Sequence, residues 1–301
     1  MKVFVTGATG AIGRFVVPEL VKAGHVVTAL ARTDEKATQL ERQGARPARV
    51  SLFDAAALKD VFAGVDAVCN LATAIPPVAK GARASAWVEN ARIRTEGSAA
   101  VADAAVSAGV GRMVQESITF NYPDRGDAWI DESVPIEPPA LGESVAVAEA
   151  NAGRFTDAGG TGVVLRFGVF YGRGSDHTET MLKASRRHVG AVVGKPSAYM
   201  SLIHLHDAAT AVVAALDVPA GTYNVVDDEP LTKRDAARAI GAAVGKRPWV
   251  LLPGRLAALG GKNAEILLRS QRVSNEKLKA AVGWAPAYAS AWDGWKAVVD
   301  A

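Results

Sequence analysis

Thr6-Gly7-Ala8-Thr9-Gly10-Ala11-Ile12-Gly13 is the stretch whose reading decides the fold. Ahead of it, Lys2 to Thr6 is a short apolar run of strand character. Behind it, Arg14 to Ala23 sets Phe15, Val16, Leu20 and Val21 on one helical face. Glycines three apart between a strand and a helix each have a physical reason. Gly7 permits a tight turn, Gly10 lets a pyrophosphate approach the backbone, and Gly13 lets the helix pack close to the strand. The helix N-terminus then presents free N–H groups and a positive dipole end to phosphate. The spacing predicts a dinucleotide gripped by the backbone of residues 7 to 13, with Thr9, Ala11 and Ile12 among them.

The same rhythm continues outward. Gly24 stops the first helix, and His25 to Ala31 reads as a second strand. Arg46 to Leu52, Asp66 to Leu71, Arg112 to Ser117 and Gly162 to Phe167 read as the third to sixth. Between them, Ala55 to Ala63, the Ala-rich Ala84 to Ala108 and Leu141 to Ala158 are helical in pattern. Strands separated by helices of these lengths imply parallel βαβ units, hence an α/β, Rossmann-type doubly wound parallel sheet. Ile118 to Ala140, rich in Pro, acids and aromatics, is a long loop of the kind that carries function. Beyond Gly168 the pattern is patchier, with a helix over Ala208 to Leu216 and a strand over Thr222 to Val226. Trp249, Trp284, Trp292 and Trp295 are expected core anchors.

Composition excludes several classes. The net charge of +3 over 301 residues comes without a Lys/Arg cluster, so nucleic acid is not an expected partner. Cys69 is the single cysteine, so no internal disulfide forms, and no Cys/His array has metal spacing. No run approaches the roughly 18 apolar residues of a membrane span, and Val3-Phe4-Val5 is too short for a signal-peptide core. A cytoplasmic location and no membrane partner are the expectations.

The end of the second strand chooses the cofactor. An acid there would bind the adenosine ribose 2′-hydroxyl and repel a 2′-phosphate. The sequence has Leu30-Ala31-Arg32-Thr33 instead, and a guanidinium forks onto phosphate, which favours NADP over NAD. Asp54, after the third strand, is placed either to accept from the adenine amino group or to cap the helix at Ala55.

Taken in order, Thr6-Gly-x-x-Gly-x-x-Gly13, Asn70-Leu-Ala72, Leu165-Arg166, Tyr171-Gly172, Ile203-His204-Leu-His-Asp207, Asn224-Val225 and Gly283-Trp284-x-Pro286 resemble the extended short-chain dehydrogenase/reductases. These are also called the NAD-dependent epimerase/dehydratase family. The resemblance implies a seven-stranded sheet and a smaller C-terminal substrate domain, with the site in the cleft between them. The expected division is 1–167, with a returning segment near 202–226, and 168–301. Leu71 and Ala72 would line the cofactor site, and a homodimer could form through the helices Ala84 to Ala108 and Leu141 to Ala158. Asp207 is expected to cap a helix.

The family's chemistry rests on Tyr-x-x-x-Lys, in which the Lys cation lowers the Tyr pKa and Tyr passes a proton to substrate. With Glu149 as the family's glutamate four residues past the lysine, Leu141 takes the Tyr place and Val145 the Lys place. Neither carries a proton. Residues 124 to 170 contain no Tyr or Lys, so no register slip restores the pair. The hydroxyl place at the end of the fifth strand falls on Ile118, although Ser117 or Thr119 could reach the cleft. Arg94 stands where the family has an asparagine ahead of Gly97.

Substitute groups are few. Tyr122 is the first candidate proton donor, or else a loop aromatic packed on the sheet edge. His177, read on a loop, titrates near neutrality and suits proton transfer, or else is simply solvated. Tyr171 reads as packing, and Arg166 as a charge at the carboxyl edge where cofactors bind. Glu143 and Glu149 read as an exposed helix face, Asp131 and Glu132 as closing the long loop, and Cys69 as a core residue. The expected function is an NADP-dependent oxidoreductase acting on a small-molecule carbonyl, imine or activated alkene. The alternatives are a non-redox epimerase, isomerase or lyase that retains its cofactor, and a cofactor-sensing binding protein that has lost catalysis.

Overall fold

The structure is a computed structural model that describes residues 1–81, 83–248, 250–253 and 265–300. Seven parallel strands form the central sheet: β1 (Lys2–Thr6), β2 (Val26–Leu30), β3 (Arg46–Ala48), β4 (Ala67–Asn70), β5 (Arg112–Ile118), β6 (Thr161–Phe167) and β7 (Gly221–Val225). Their order across the sheet is β7-β6-β5-β4-β1-β2-β3. The chain starts in the middle, winds one way through β3, then returns past β1 and winds the other way. The switch between β1 and β4 opens a crevice at the carboxyl ends of the strands, where such sheets bind ligands.

Helices cover both faces. On one side α1 (Gly13–Lys22), α2 (Asp34–Arg42) and α8 (Leu205–Ala214) bury Val16, Leu20, Leu40 and Val212 against the sheet. On the other, α3 (Ala55–Val61), α5 (Ser98–Ser107) and α6 (Glu143–Asp157) bury Leu58, Val101 and Phe155 beside Phe4 and Met113. Each such side chain contributes about 1.5–3 kcal/mol. Pro18 lies inside α1, where its missing N–H leaves the Arg14 carbonyl without its helical donor. The Gln43 carboxamide at the end of α2 donates to that oxygen at 3.1 Å. The proline therefore ties the first two helices together.

The remaining chain builds a second core from α7 (Asp176–Arg186), α9 (Lys233–Ala243) and the last helix, Ala291–Asp300, around Tyr171, Met181, Leu182, Ile240 and Trp295. Short paired strands, 189–194 with 250–253 and 199–200 with 231–232, line it.

Several local expectations change. The helix α2 was not expected, although Thr33-Asp34-Glu35 is a cap signal: the Thr33 hydroxyl accepts from Lys36 N at 3.3 Å. The third strand is only Arg46–Ala48, at the edge of the sheet, where Pro47 is tolerated. The Ala-rich helix passes through a π-helical turn, Ile93–Gly97, between α4 (Val88–Arg92) and α5. The long loop holds a two-residue strand, Trp129–Ile130, paired with Arg272–Val273. His204, not Asp207, caps α8, accepting from His206 N at 3.2 Å. Asp207 is instead fully buried and accepts from Ala287 N and Tyr288 N at 2.8 and 3.1 Å, so it anchors the segment before the last helix. Trp284 and Trp295 are buried as expected, whereas Trp292 is 38% exposed and anchors nothing; Trp249 lies outside the described residues.

Asp227, just past β7, is 1% exposed, and among the described residues the Ala291 backbone gives its carboxyl only a weak hydrogen bond. Burial first, then Asp228 and Glu229, pushes its pKa well above the ordinary carboxylate range. A raised folded pKa means native protein binds the proton more tightly than the unfolded chain. The associated stability is complete below the unfolded value near 3.9 and is lost as pH rises toward the folded pKa. Asp227→Asn should therefore flatten the fall in urea midpoint that wild type shows as pH rises above the unfolded carboxylate pKa. Parallel pH profiles of the two proteins would remove this account.

Candidate active site

The glycine turn has the geometry that a diphosphate cradle needs. Gly7 sits at φ +66°, and a Cβ on it would lie 2.4 Å from the Leu71 carbonyl oxygen. A Cβ on Gly13 would lie 2.2 Å from the Gly7 oxygen and 2.6 Å from Ala8 Cα. Both positions exclude side chains through contact with backbone, which cannot give way. Gly10 differs. It is exposed, donates its N–H to Gly7 O at 2.9 Å, and a Cβ there would meet only that oxygen, at 3.0 Å. The space it keeps clear is on the ligand side. Ala11 is exposed beside it, Thr9 half-buried, and Ile12 opens α1 with no side-chain cap; Arg14 N and Phe15 N donate to Gly10 O and Ile12 O, which leaves the Gly13 amide for a ligand. The residues present fit a dinucleotide.

Leu71 and Ala72 follow β4 directly against Gly7, with Leu71 N donating to Thr6 Oγ1 at 3.2 Å. Arg32 is exposed past the end of β2. Asp54 is exposed and caps α3, accepting from Ala57 N through Oδ1 at 3.0 Å, which leaves its second oxygen for an adenine amino group.

A hydrogen-bonded polar chain runs along the carboxyl edge. The Thr6 hydroxyl (β1) donates to Asn70 (β4) at 2.6 Å, and Asn70 donates to Gln115 (β5) at 2.8 Å. The next residue, Glu116, holds Arg94 from the π-turn through two bonds of 2.8 and 3.0 Å, with both side chains under 5% exposed. Burial pushes the Glu116 carboxyl up against the pull of Arg94. The arginine in the family's asparagine place thus offsets the charge of a buried acid on the neighbouring strand. A π-turn at this point widens the helix by a residue, a device often found at functional sites.

Further along, Ser117 Oγ donates to Glu149 Oε1 at 2.5 Å, and Arg166 grips Glu149 in a fork, Nε to Oε1 at 2.9 Å and Nη2 to Oε2 at 2.6 Å. The third arm of Arg166 donates to the Tyr122 hydroxyl at 2.9 Å, and Tyr122 donates to Asn224 Oδ1 at 2.9 Å. Burial opposes the Arg166 charge, but Glu149 and Tyr122 outweigh it and raise its pKa. Glu132 accepts from Asn224 N at 2.7 Å, so it does fasten the long loop, to β7.

This network relocates several expected residues. Glu149 belongs to no exposed face; its side chain is 11% exposed and committed to Arg166 and Ser117. Arg166 is not an open cation for a cofactor, since its guanidinium is used on three sides within the wall of the site. Tyr122 is fully buried, and burial raises its pKa despite Arg166, so its hydroxyl is a member of the wall rather than a donor facing a ligand. Ser117 and Thr119 are also buried, at 0% and 2%. His177 lies in the first turn of α7 and not on a loop; it is half-buried, its Nε2 lacks a partner, and burial lowers its pKa. Tyr171 is packed on Trp295 with ring centroids 4.9 Å apart. Cys69 is buried in the sheet, its thiol pushed up to about 12 by burial. Val145 is completely buried and Leu141 half-buried.

An open cavity of about 480 Å³ adjoins the long loop, lined by Pro123, Asp124, Arg125, Glu137, Leu268 and Arg269. None of the glycine-turn residues lines it. No group of three or more His, Cys, Asp or Glu among the described residues could hold a metal, and no described helix is long and apolar enough to cross a membrane.

A Rossmann sheet with an intact phosphate turn at its switch point defines a dinucleotide-binding protein. Residues 3–225 match the model of the NAD dependent epimerase/dehydratase family, and the chain belongs to that family. It is 32% identical to a 3-diazoavenalumate denitrifying reductase of a Streptomyces species, over 98% of this chain and 99% of that protein. Among solved structures, human epimerase family protein SDR39U1 with NADPH superposes at a TM-score of 0.80 with 24% identity, covering 100% of this chain and 99% of that one. The UDP-glucose 4-epimerase of Thermus thermophilus with NAD gives 0.79 with 24% identity, covering 100% and 98%. These two share the fold. Family membership and the reductase relative together support a nicotinamide dinucleotide and oxidoreductase chemistry in general terms.

Proposed function

We propose that this protein is an NADP-dependent reductase of small electrophiles whose reduction needs no proton from a tyrosine. The observation that carries the reading is an intact cradle at Gly7, Gly10 and Gly13 beside a site whose Tyr and Lys places are Leu141 and Val145. When bound, the reduced nicotinamide supplies the hydride. A simple ketone leaves an alkoxide that must be protonated as it forms, which is the task of the absent pair. An iminium or diazonium group becomes neutral on accepting hydride, and an activated alkene leaves a delocalised anion that water protonates. Such acceptors suit a site that supplies orientation and dryness in place of an acid. The relative named as a denitrifying reductase of a diazo compound fits this class. Arg32 supports NADP, and Asp54 is the proposed adenine contact.

Deuteride transfer tests this. The protein and NADPH deuterated at the nicotinamide C4 are offered imines, enones, aryl diazonium salts and plain ketones, and the products are weighed. Deuterium should appear in the imine or enone product, or the diazonium salt should lose N2 with matching NADPH oxidation through a neutral diazene, and ketones should react at least about a hundredfold more slowly, the scale of a lost general acid. Fast ketone reduction would refute the choice of substrate class. Tight NADPH binding with no transfer to any acceptor would instead favour the reading of a cofactor-sensing protein, to which the apolar Leu141 and Val145 also conform.

A further inference from the structure

Two arginines leave the same corner of the sheet. In the parallel β2–β3 pair Leu30 is opposite Ala48, and Ala31 N donates to Ala48 O at 2.9 Å. Neighbouring strands lie about 4.8 Å apart. Arg32, two residues past Leu30, and Arg49, one past Ala48, can therefore reach a common point off the carboxyl edge. Arg32 is exposed and has no ion-pair partner among the described residues. Arg49 rests its guanidinium on the carboxylate of Asp34, the first residue of α2; the Arg49 side chain is 49% exposed and that of Asp34 entirely so.

We propose that Arg49 is a second, movable arm for the 2′-phosphate of the dinucleotide, parked on Asp34 and transferred to the phosphate to work beside Arg32. The inference rests on the NADP reading above and adds a residue and a competitor to it. An ion pair this exposed holds its partners weakly. A phosphate monoester carries close to two charges at neutral pH and three acceptor oxygens, and forked, charge-assisted bonds to it are roughly twice as strong as neutral ones. Phosphate should win Arg49 from Asp34. A 2′-hydroxyl offers neither charge nor fork, so with NAD the arm stays parked. Asp34 then acts against NADP as a competitor for Arg49.

The experiment is a binding titration of the full chain with NADPH, NADH, 2′,5′-ADP and 5′-AMP, independent of turnover. Arg49→Gln should weaken NADPH and 2′,5′-ADP by about tenfold or more, the scale of one charge-assisted bond, and leave NADH and 5′-AMP within about twofold. Asp34→Asn should tighten NADPH, and lose most of that gain in the Arg49→Gln background. Equal weakening of all four ligands by Arg49→Gln, or an Asp34→Asn gain that persists without Arg49, would overturn the arm. Unchanged melting temperatures exclude misfolding as the cause. Should wild type bind NADPH and NADH equally, this inference fails while deuteride transfer can still succeed; binding of neither dinucleotide defeats the broader reading.

Discussion

Gly10→Ala should lower the melting temperature far less than Gly13→Ala and weaken NADPH and NADH together by about a hundredfold. The two effects separate because a Cβ at residue 10 meets one protein atom, Gly7 O at 3.0 Å, and otherwise enters the space assigned to the diphosphate. A dinucleotide displaced by a methyl group loses amide bonds to charged oxygens, each worth about 1.5–3 kcal/mol. Two of them amount to about 3 kcal/mol or more, which is the hundredfold. Gly13→Ala is the contrasting variant. Its Cβ would overlap backbone atoms at 2.2 and 2.6 Å, so the helix must move off the strand, at a cost of about 1–3 kcal/mol and sometimes more. It should lose both stability and affinity. Calorimetric titration with thermal melts distinguishes the two variants, and wild-type affinity in Gly10→Ala would mean that no diphosphate lies over residue 10.

The second large effect concerns the wall of the site. Arg166→Met should destabilise the fold by about 3–5 kcal/mol, because it strands Glu149 with Ser117 Oγ as its remaining side-chain donor among the described residues. Arg166 and Glu149 are 8% and 11% exposed, so water replaces the lost partner poorly. The Tyr122 hydroxyl also loses its donor and keeps only Asn224. Pairing Arg166→Met with Glu149→Gln should recover part of the loss, since the uncompensated charge is then gone. Urea unfolding of the two single variants and the double closes the cycle. A cost below about 1 kcal/mol for Arg166→Met would place this pair with ordinary surface ion pairs.

These two outcomes also bear on how the site can work. The cradle at residues 7 to 13 requires small residues for steric reasons that any sequence reader can apply. The wall is different in kind. Glu149 reads as a face residue because an acid on a helix is ordinarily solvated. Periodicity locates a face, and says nothing about what a neighbouring strand brings to it. Arg166 looks like an open charge for the same reason: strand position puts it at the carboxyl edge, but its partner comes from a helix 17 residues away. Tyr122 looks available because it sits in a long polar loop, whereas Arg166 and Asn224, the latter 102 residues further on, enclose its hydroxyl. Arg49 gave no signal, since a lone arginine after a weak strand becomes notable only once β2 and β3 are seen side by side. The helix α2 was readable from Thr33 and its acidic first turn, and the expectation missed it.

By itself, the amino-acid sequence determined the strand-turn-helix at residues 2–22, the alternation that makes a parallel α/β sheet, and the absence of Tyr and Lys from the helix after the long loop. Those are local properties, set by the missing Cβ of glycine and by side-chain periods of two and 3.6 residues. Only tertiary structure decided which charges are paired at the carboxyl edge, that Asp207 serves as an anchor rather than a cap, and that Asp227 is a buried, poorly solvated acid. Whether a carboxylate is stabilised or starved depends on burial and on donors arriving from distant segments, and chain order carries neither.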